Sequence, residues 1–206
     1  MRFNNFLDDI LGQGSKIKIL RFLVRTRGEF SGRDINRGAK VSPQTAHQAL
    51  RSLSAQHVVI MKKSGNTILY KLNTDNQFVN RILVPLFKYE STLLLETIRS
   101  QIKPIEAFLE TVILYGSFAK EKEKPSSDID LCAVLKKLKD KEKVVQYFDE
   151  LNQKFVSGFG NIISPYLISQ DDFRKKYKKN DQHIVAVVQT GKVVVGKTIS
   201  EVLINA

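Results

Sequence analysis

From Ser15 the chain repeats apolar positions at helical spacing, with Ile17, Ile19, Leu20, Leu23 and Val24 falling on one face. Ser15 predicts the cap of this helix and Gly28 its stop. SGRDINRGAK predicts a second, short helix capped by Ser31, with Ile35 and Ala39 turned inward. In VSPQTAHQALRSLSAQHVV the pair Ser42-Pro43 predicts a third helix start. The serine oxygen accepts from an unpaired amide, and the proline sits where no N–H is needed. Ala46, Ala49, Leu50 and Leu53 form the inner stripe, which leaves Gln44, Thr45, His47, Gln48 and Arg51 outside. The period then changes. VVIMKKSGNTILYKLN alternates, is rich in β-branched residues and is broken by Ser64-Gly65-Asn66, which predicts a hairpin turning at Gly65-Asn66.

Residues 77–103 read as one or two helices, kinked or broken near Pro85 and again near Pro104. The Leu93-Leu94-Leu95 run is wide enough to pack the two halves of the chain or to form a dimer seam. Beyond it come a short apolar strand from Val112 to Tyr115, a Gly-Ser turn, a polar segment and a second strand from Asp128 to Leu135. DKEKVVQYFDELNQKFVSGFG predicts an amphipathic helix capped by Asp140 and ended by Gly158 or Gly160. NIISPYLIS predicts a strand that Pro165 assigns to a sheet edge. QDDFRKKYKKN and DQHIVAVVQTG predict two helices, followed by a short strand and a terminal helix.

Charge divides the chain unevenly. Residues 1–90 hold 15 Lys/Arg against 6 Asp/Glu, and residues 91–206 hold 18 against 15. The positive field therefore belongs mainly to the first half, which points to a polyanionic partner there. Three short helices and a basic hairpin resemble a winged helix-turn-helix domain over about residues 12–75. The resemblance implies that the third helix enters the major groove of double-stranded DNA. Gln44 and Gln48 are suited to adenine and Arg51 to guanine or phosphate, with Thr45 beside them. Lys62 and Lys63 of the hairpin would meet phosphate. A protein–protein module is the alternative use of the same shape. Readers of this type are commonly two-fold dimers, so a homodimer is expected.

The single cysteine, Cys132, excludes an intramolecular disulfide and agrees with a reducing compartment. No run is long and apolar enough to span a bilayer, so no membrane association is expected. The first residues place two acids where an export signal would be apolar. A cytoplasmic location follows as the expectation. Neither His57 nor His183 has a partner at ligand spacing, so no zinc site is expected.

Residues 116–131, GSFAKEKEKPSSDIDL, carry the candidate chemistry. Asp128 and Asp130 are two apart in a predicted strand and so share a face. Adjacent carboxylates repel unless a cation lies between them, and hard oxygen donors completed by substrate phosphates suit Mg2+. Gly116-Ser117 leaves a strand into a short helix, a geometry that lets backbone amides approach a phosphate. Gly116, Ser117, Ala119, Asp128 and Asp130, in this order, resemble the signature of the minimal nucleotidyltransferases of the DNA polymerase beta superfamily. The resemblance covers about residues 92–206. It implies that Gly116 and Ser117 hold the phosphates of a nucleoside triphosphate. It implies that Asp128 and Asp130 are catalytic and bind magnesium, and that a nucleotidyl group moves onto a hydroxyl of a protein or nucleic-acid acceptor. Some such proteins act as antitoxins toward a small helical toxin. Active members place a third acid on the strand after the long helix, whereas NIISPYLIS has none, with Ser164 or Tyr166 near that position. The same layout therefore also allows a DNA-binding regulator that senses a nucleotide without transferring it.

The expected fold class is α+β. Residues 1–76 form a winged helix-turn-helix domain and residues 77–103 a helical connector. Residues 104–206 form a polymerase-beta-like nucleotidyltransferase domain with a small mixed sheet flanked by helices.

Overall fold

The structure is a computed structural model and describes residues 6–204. The chain is α+β and divides into two compact units between Leu93 and Leu94.

The first unit opens with α1 (Phe6–Leu11) and α2 (Gly14–Thr26), followed by β1 (Phe30–Ser31), α3 (Gly32–Gly38) and α4 (Pro43–Ala55). Strands β2 (Val59–Ser64) and β3 (Thr67–Leu72) then form the wing, a winged helix-turn-helix arrangement. Ser42 accepts from the Thr45 amide at 3.2 Å with Pro43 in the first turn, as the Ser-Pro pair predicts. Ser31 caps α3 in the same way through Asp34. The expected cap at Ser15 is corrected. The residue before α2 is Gln13, with no side-chain cap, and the helix ends at Arg27 in the left-handed region rather than at Gly28. The hairpin turns with Gly65 at φ +56°. Its register pairs Val59 with Leu72 and Ser64 with Thr67, and β1 adds a third strand against β3. His57, after α4, is also left-handed, and its carbonyl accepts from the Asn73 and Asn76 amides at 2.9 and 3.0 Å. Those two bonds tie the helix exit to the end of the wing. Ile19, Leu20, Leu23, Leu50 and Leu53 lie in the core at 1% exposure or less.

A π-helical turn, Val79–Leu83, leads into α5 (Val84–Ile102), and a 3-10 turn follows at Lys103–Phe108. Pro85 follows directly on the π-helical turn inside a continuous helical run, where its missing N–H removes one helical bond. The expected kink is thus a change of pitch just before the proline. The second break, before Pro104, is where α5 stops.

The second unit is built on a four-stranded mixed sheet of β4 (Leu109–Leu114), β5 (Ile129–Leu135), β6 (Ile163–Ser169) and β7 (Lys192–Gly196), in the order β6-β5-β4-β7. β4 runs antiparallel to both β5 and β7, while β6 is parallel to β5. Pro165 is on an edge strand, where a missing donor is tolerated. The sheet is buried on both faces. Leu131, Ala133 and Leu135 join Val144, Phe148 and Phe155 of α7 (Lys141–Phe159) in one core. Ile113, Cys132 and Val134 join Phe173 of α8 (Gln170–Lys178) and Ile184 and Val187 of α9 (Gln182–Thr190) in the other. Between β4 and β5 lies α6 (Gly116–Ala119), and α10 (Ile199–Leu203) follows β7 with a Thr198–Glu201 capping box. The Asp140 side chain makes no cap to α7, and Gly160 ends that helix at φ +74°. Among the described residues no helix is long and apolar enough to cross a membrane.

Candidate functional site

Alternation along β5 decides where the acids go. Ile129 and Leu131 enter the core under α7, so Asp130 projects to the opposite face with Cys132 and Val134. Asp128, the expected first residue of the strand, lies just before it, exposed, and its charge acts on Asp130. The loop that delivers it is anchored by Asn161, whose side-chain amide donates to the carbonyls of Pro125 and Ser127 at 3.3 and 3.0 Å. The Ile129 amide donates to Ile162 at 2.8 Å.

The structure brings the two halves of the motif together. The Tyr115 amide donates to the Asp130 carbonyl at 3.0 Å, which sets the end of β4 beside the start of β5. Gly116 follows at φ +73°, and a Cβ there would lie 2.1 Å from Asp130 Oδ2. Only glycine fits this approach. Tyr115 supplies no side-chain cap to α6. Ser117 is half-buried. Lys120, Lys122 and Lys124 are all exposed, and the Lys122 amide closes the turn onto the Ser117 carbonyl at 3.0 Å.

The carboxyl of Asp130 is held above its usual range by burial first and by the Asp128 charge second, while His183 acts in the other direction. Two adjacent carboxylates strain the site electrostatically, which is the condition a divalent cation relieves. No group of three or more His, Cys, Asp or Glu suited to a metal occurs among the described residues. The parallel register puts Ser164 opposite Asp130 and Tyr166 opposite Cys132, so the strand carrying the expected third acid presents a hydroxyl there. Asp172 is engaged at the start of α8, where its Oδ2 accepts from Ser169 Oγ at 2.7 Å. Two hard carboxylates suit a magnesium ion whose other positions go to phosphate and water.

Sequence spacing missed His183. It stands in the first turn of α9, with Nε2 at 3.2 Å from Tyr115 Oη and its ring centroid 4.6 Å from that of Tyr166. These partners are distant in the chain, and only the strand register joins them.

In the first unit, Gln44, His47, Gln48 and Arg51 are exposed along α4. The Thr45 hydroxyl lies 2.7 Å from Ser42 Oγ at the helix start. Lys62 and Lys63 are exposed on the wing. Glu29 faces Lys71 at 3.1 Å and Lys62 at 4.0 Å, so part of the wing's charge is offset.

The family model for "Polymerase beta, Nucleotidyltransferase" matches residues 96–199, just over half of the chain. No curated protein sequence matches. Among solved structures, the AntR antimony-specific transcriptional repressor is similar at 19% identity, over 45% of this chain and 78% of its own, with a TM-score of 0.36. A homodimeric winged helix-turn-helix DNA-binding domain, Mb0332 from Mycobacterium bovis, is similar at 18% identity, over 48% and 93%, with a TM-score of 0.34. A toxin–antitoxin MntA-HpeT mutant is similar at 18% identity, over 52% and 76%, with a TM-score of 0.34.

Proposed function

The chain belongs to the polymerase beta nucleotidyltransferase family, and from that premise we propose that it binds a nucleoside triphosphate with magnesium and transfers its nucleotidyl group to a hydroxyl acceptor. The close approach of Gly116 to the Asp130 carboxylate supports this reading, because it brings the Gly116-Ser117 turn against one of the two acids. Gly116 and Ser117 bind and orient the terminal phosphates through backbone amides. Asp128 and Asp130 would hold the magnesium, which when bound supplies positive charge against the phosphates. Duplex DNA is the target to which α4 and the wing deliver this activity, through Gln44, Thr45, Gln48, Arg51, Lys62 and Lys63. Leu94 and Leu95 of the expected seam pack on the core of the second unit, so exposed Ile82, Leu86 and Tyr89 are the apolar seam offered for a homodimer.

A second reading follows from Ser164 opposite Asp130. With two carboxylates in place of three, the protein binds the nucleotide and reports it to the DNA-binding unit without turnover. Labelled triphosphates offered with magnesium and with protein, RNA and DNA acceptors separate the two. Label transfer that disappears in Asp128→Ala and Asp130→Ala supports the enzyme. Binding without transfer supports the sensor, and absence of both nucleotide and magnesium binding sinks the site.

A further inference from the structure

The sheet face that carries Asp130 also carries Tyr115, Cys132 and Tyr166, and α9 covers it. The first turn of α9 sets His183 against Tyr115 and Tyr166 on this face. Its ring packs edge-on to Tyr115 at 5.2 Å between centroids and against Tyr166 at 4.6 Å. Nε2 lies 3.2 Å from Tyr115 Oη. Asp181 Oδ1 accepts from the His183 and Ile184 amides at 3.1 Å each, which fixes the helix start. Lys176 donates to Tyr166 Oη at 2.8 Å and fixes the second ring. The imidazole is thus held by its neighbours while the residue stays exposed. Tyr115, which holds the ring, is joined through its own amide to the Asp130 carbonyl at 3.0 Å, so His183 is packed on the residue that leads into Gly116.

Other groups on this face do not suit proton abstraction. The Cys132 thiol is buried and pushed up to about 12. The Tyr115 phenol is pushed above its ordinary range by burial and by Asp130, so it stays protonated. Ser164 has no basic atom.

Resting on the transfer reading above, we propose that His183 is the proton acceptor of nucleotidyl transfer, in the role the family gives to its third carboxylate. The acceptor hydroxyl oxygen attacks the α-phosphorus and forms the new P–O bond. The bond from that phosphorus to the bridging oxygen breaks, and pyrophosphate leaves with the electron pair. The hydroxyl proton passes to the imidazole. The tautomer that serves has Nε2–H donating to Tyr115 Oη, which leaves the Nδ1 lone pair for the proton. Tyr115 is then a positioning residue.

The experiment uses the full chain with magnesium and ATP, GTP, CTP or UTP, with glycerol as a generic hydroxyl acceptor. ATP binding and pyrophosphate release are measured for wild type, His183→Ala and His183→Gln. Release is expected to fall about 10²–10⁴-fold in both variants, with ATP binding within about twofold of wild type. Free imidazole is expected to restore part of the rate to His183→Ala. In a second readout, Mg-ATP slows diethyl pyrocarbonate modification of His183 but not of His47 or His57. Unchanged release in the variants, an equal loss of binding, no imidazole rescue or no protection of His183 overturns the proposal. A wild type that binds ATP but releases no pyrophosphate overturns it and leaves the nucleotide site standing. A wild type that binds no nucleotide removes the underlying reading itself.

Discussion

The backbone of Gly116 approaches the Asp130 carboxylate so closely that a Cβ on Gly116 would lie 2.1 Å from Oδ2. Space and dihedral both require glycine, since φ is +73° and a side chain there costs about 1–2 kcal/mol before any clash. In Gly116→Ala the Asp130 side chain must move. Mg-ATP affinity is expected to fall about tenfold or more, with far-ultraviolet circular dichroism unchanged. Calorimetric titration checks this, and wild-type affinity in the variant would refute it.

Asp128 and Asp130 repel each other when the cation is absent, and burial adds to the cost at Asp130. Asp130→Asn removes one charge of the pair. The metal-free variant is therefore expected to melt a few degrees above wild type, as ~1 kcal/mol gives in a domain of this size. Its melting temperature should no longer rise with added magnesium and ATP. Thermal scans with and without the ligands measure both effects.

These two predictions rest on a motif that was legible in the sequence, because Gly-Ser and Asp-x-Asp are local patterns and strand alternation fixes their faces. The Ser42-Pro43 cap and the Gly65 turn were legible for the same reason: each acts on its own neighbours. What escaped was non-local. β1 is two residues long and exists only through pairing with β3. β4 begins at Leu109, before the apolar run that announces it. Arg27, in the left-handed region, ends α2 where the sequence pointed to Gly28 as the stop. His183 looked isolated, since its nearest rings arrive from β4 and β6.

Cys132 gives a pH test. Burial raises the folded thiol from an ordinary 9.0 to about 12. Below pH 9 both folded and unfolded thiols keep their protons, so this group's contribution to stability is fully present. As pH rises from 9 toward 12 the unfolded thiol ionises and the folded one does not, and stability is lost at up to ~1.4 kcal/mol per pH unit. Cys132→Ala should flatten that part of the stability curve in denaturant titrations. At pH 8 the native thiol should resist iodoacetamide and react only after unfolding.

On the wing, Glu29 offsets Lys71 and Lys62. Glu29→Gln should therefore tighten binding to random duplex DNA at low salt. Lys63, which has no ion-pair partner among the described residues, should matter more than Lys71. Lys63→Ala is expected to lower the slope of log affinity against log salt by about 1. Arg51→Ala should weaken binding in a sequence-dependent way. Anisotropy titrations over a salt series decide, and a flat series for wild type removes the DNA-reader proposal.

The pairing of Asp130 with Ser164 has a meaning beyond the present site. Registry in a parallel pair cannot slip by one residue without turning every side chain of the strand over, and β6 keeps Ile163 and Leu167 toward one core and Ile168 toward the other. The place opposite Asp130 is therefore fixed by packing on both faces of β6. A side chain exchanged at Ser164 would keep its place opposite Asp130 without a change of register.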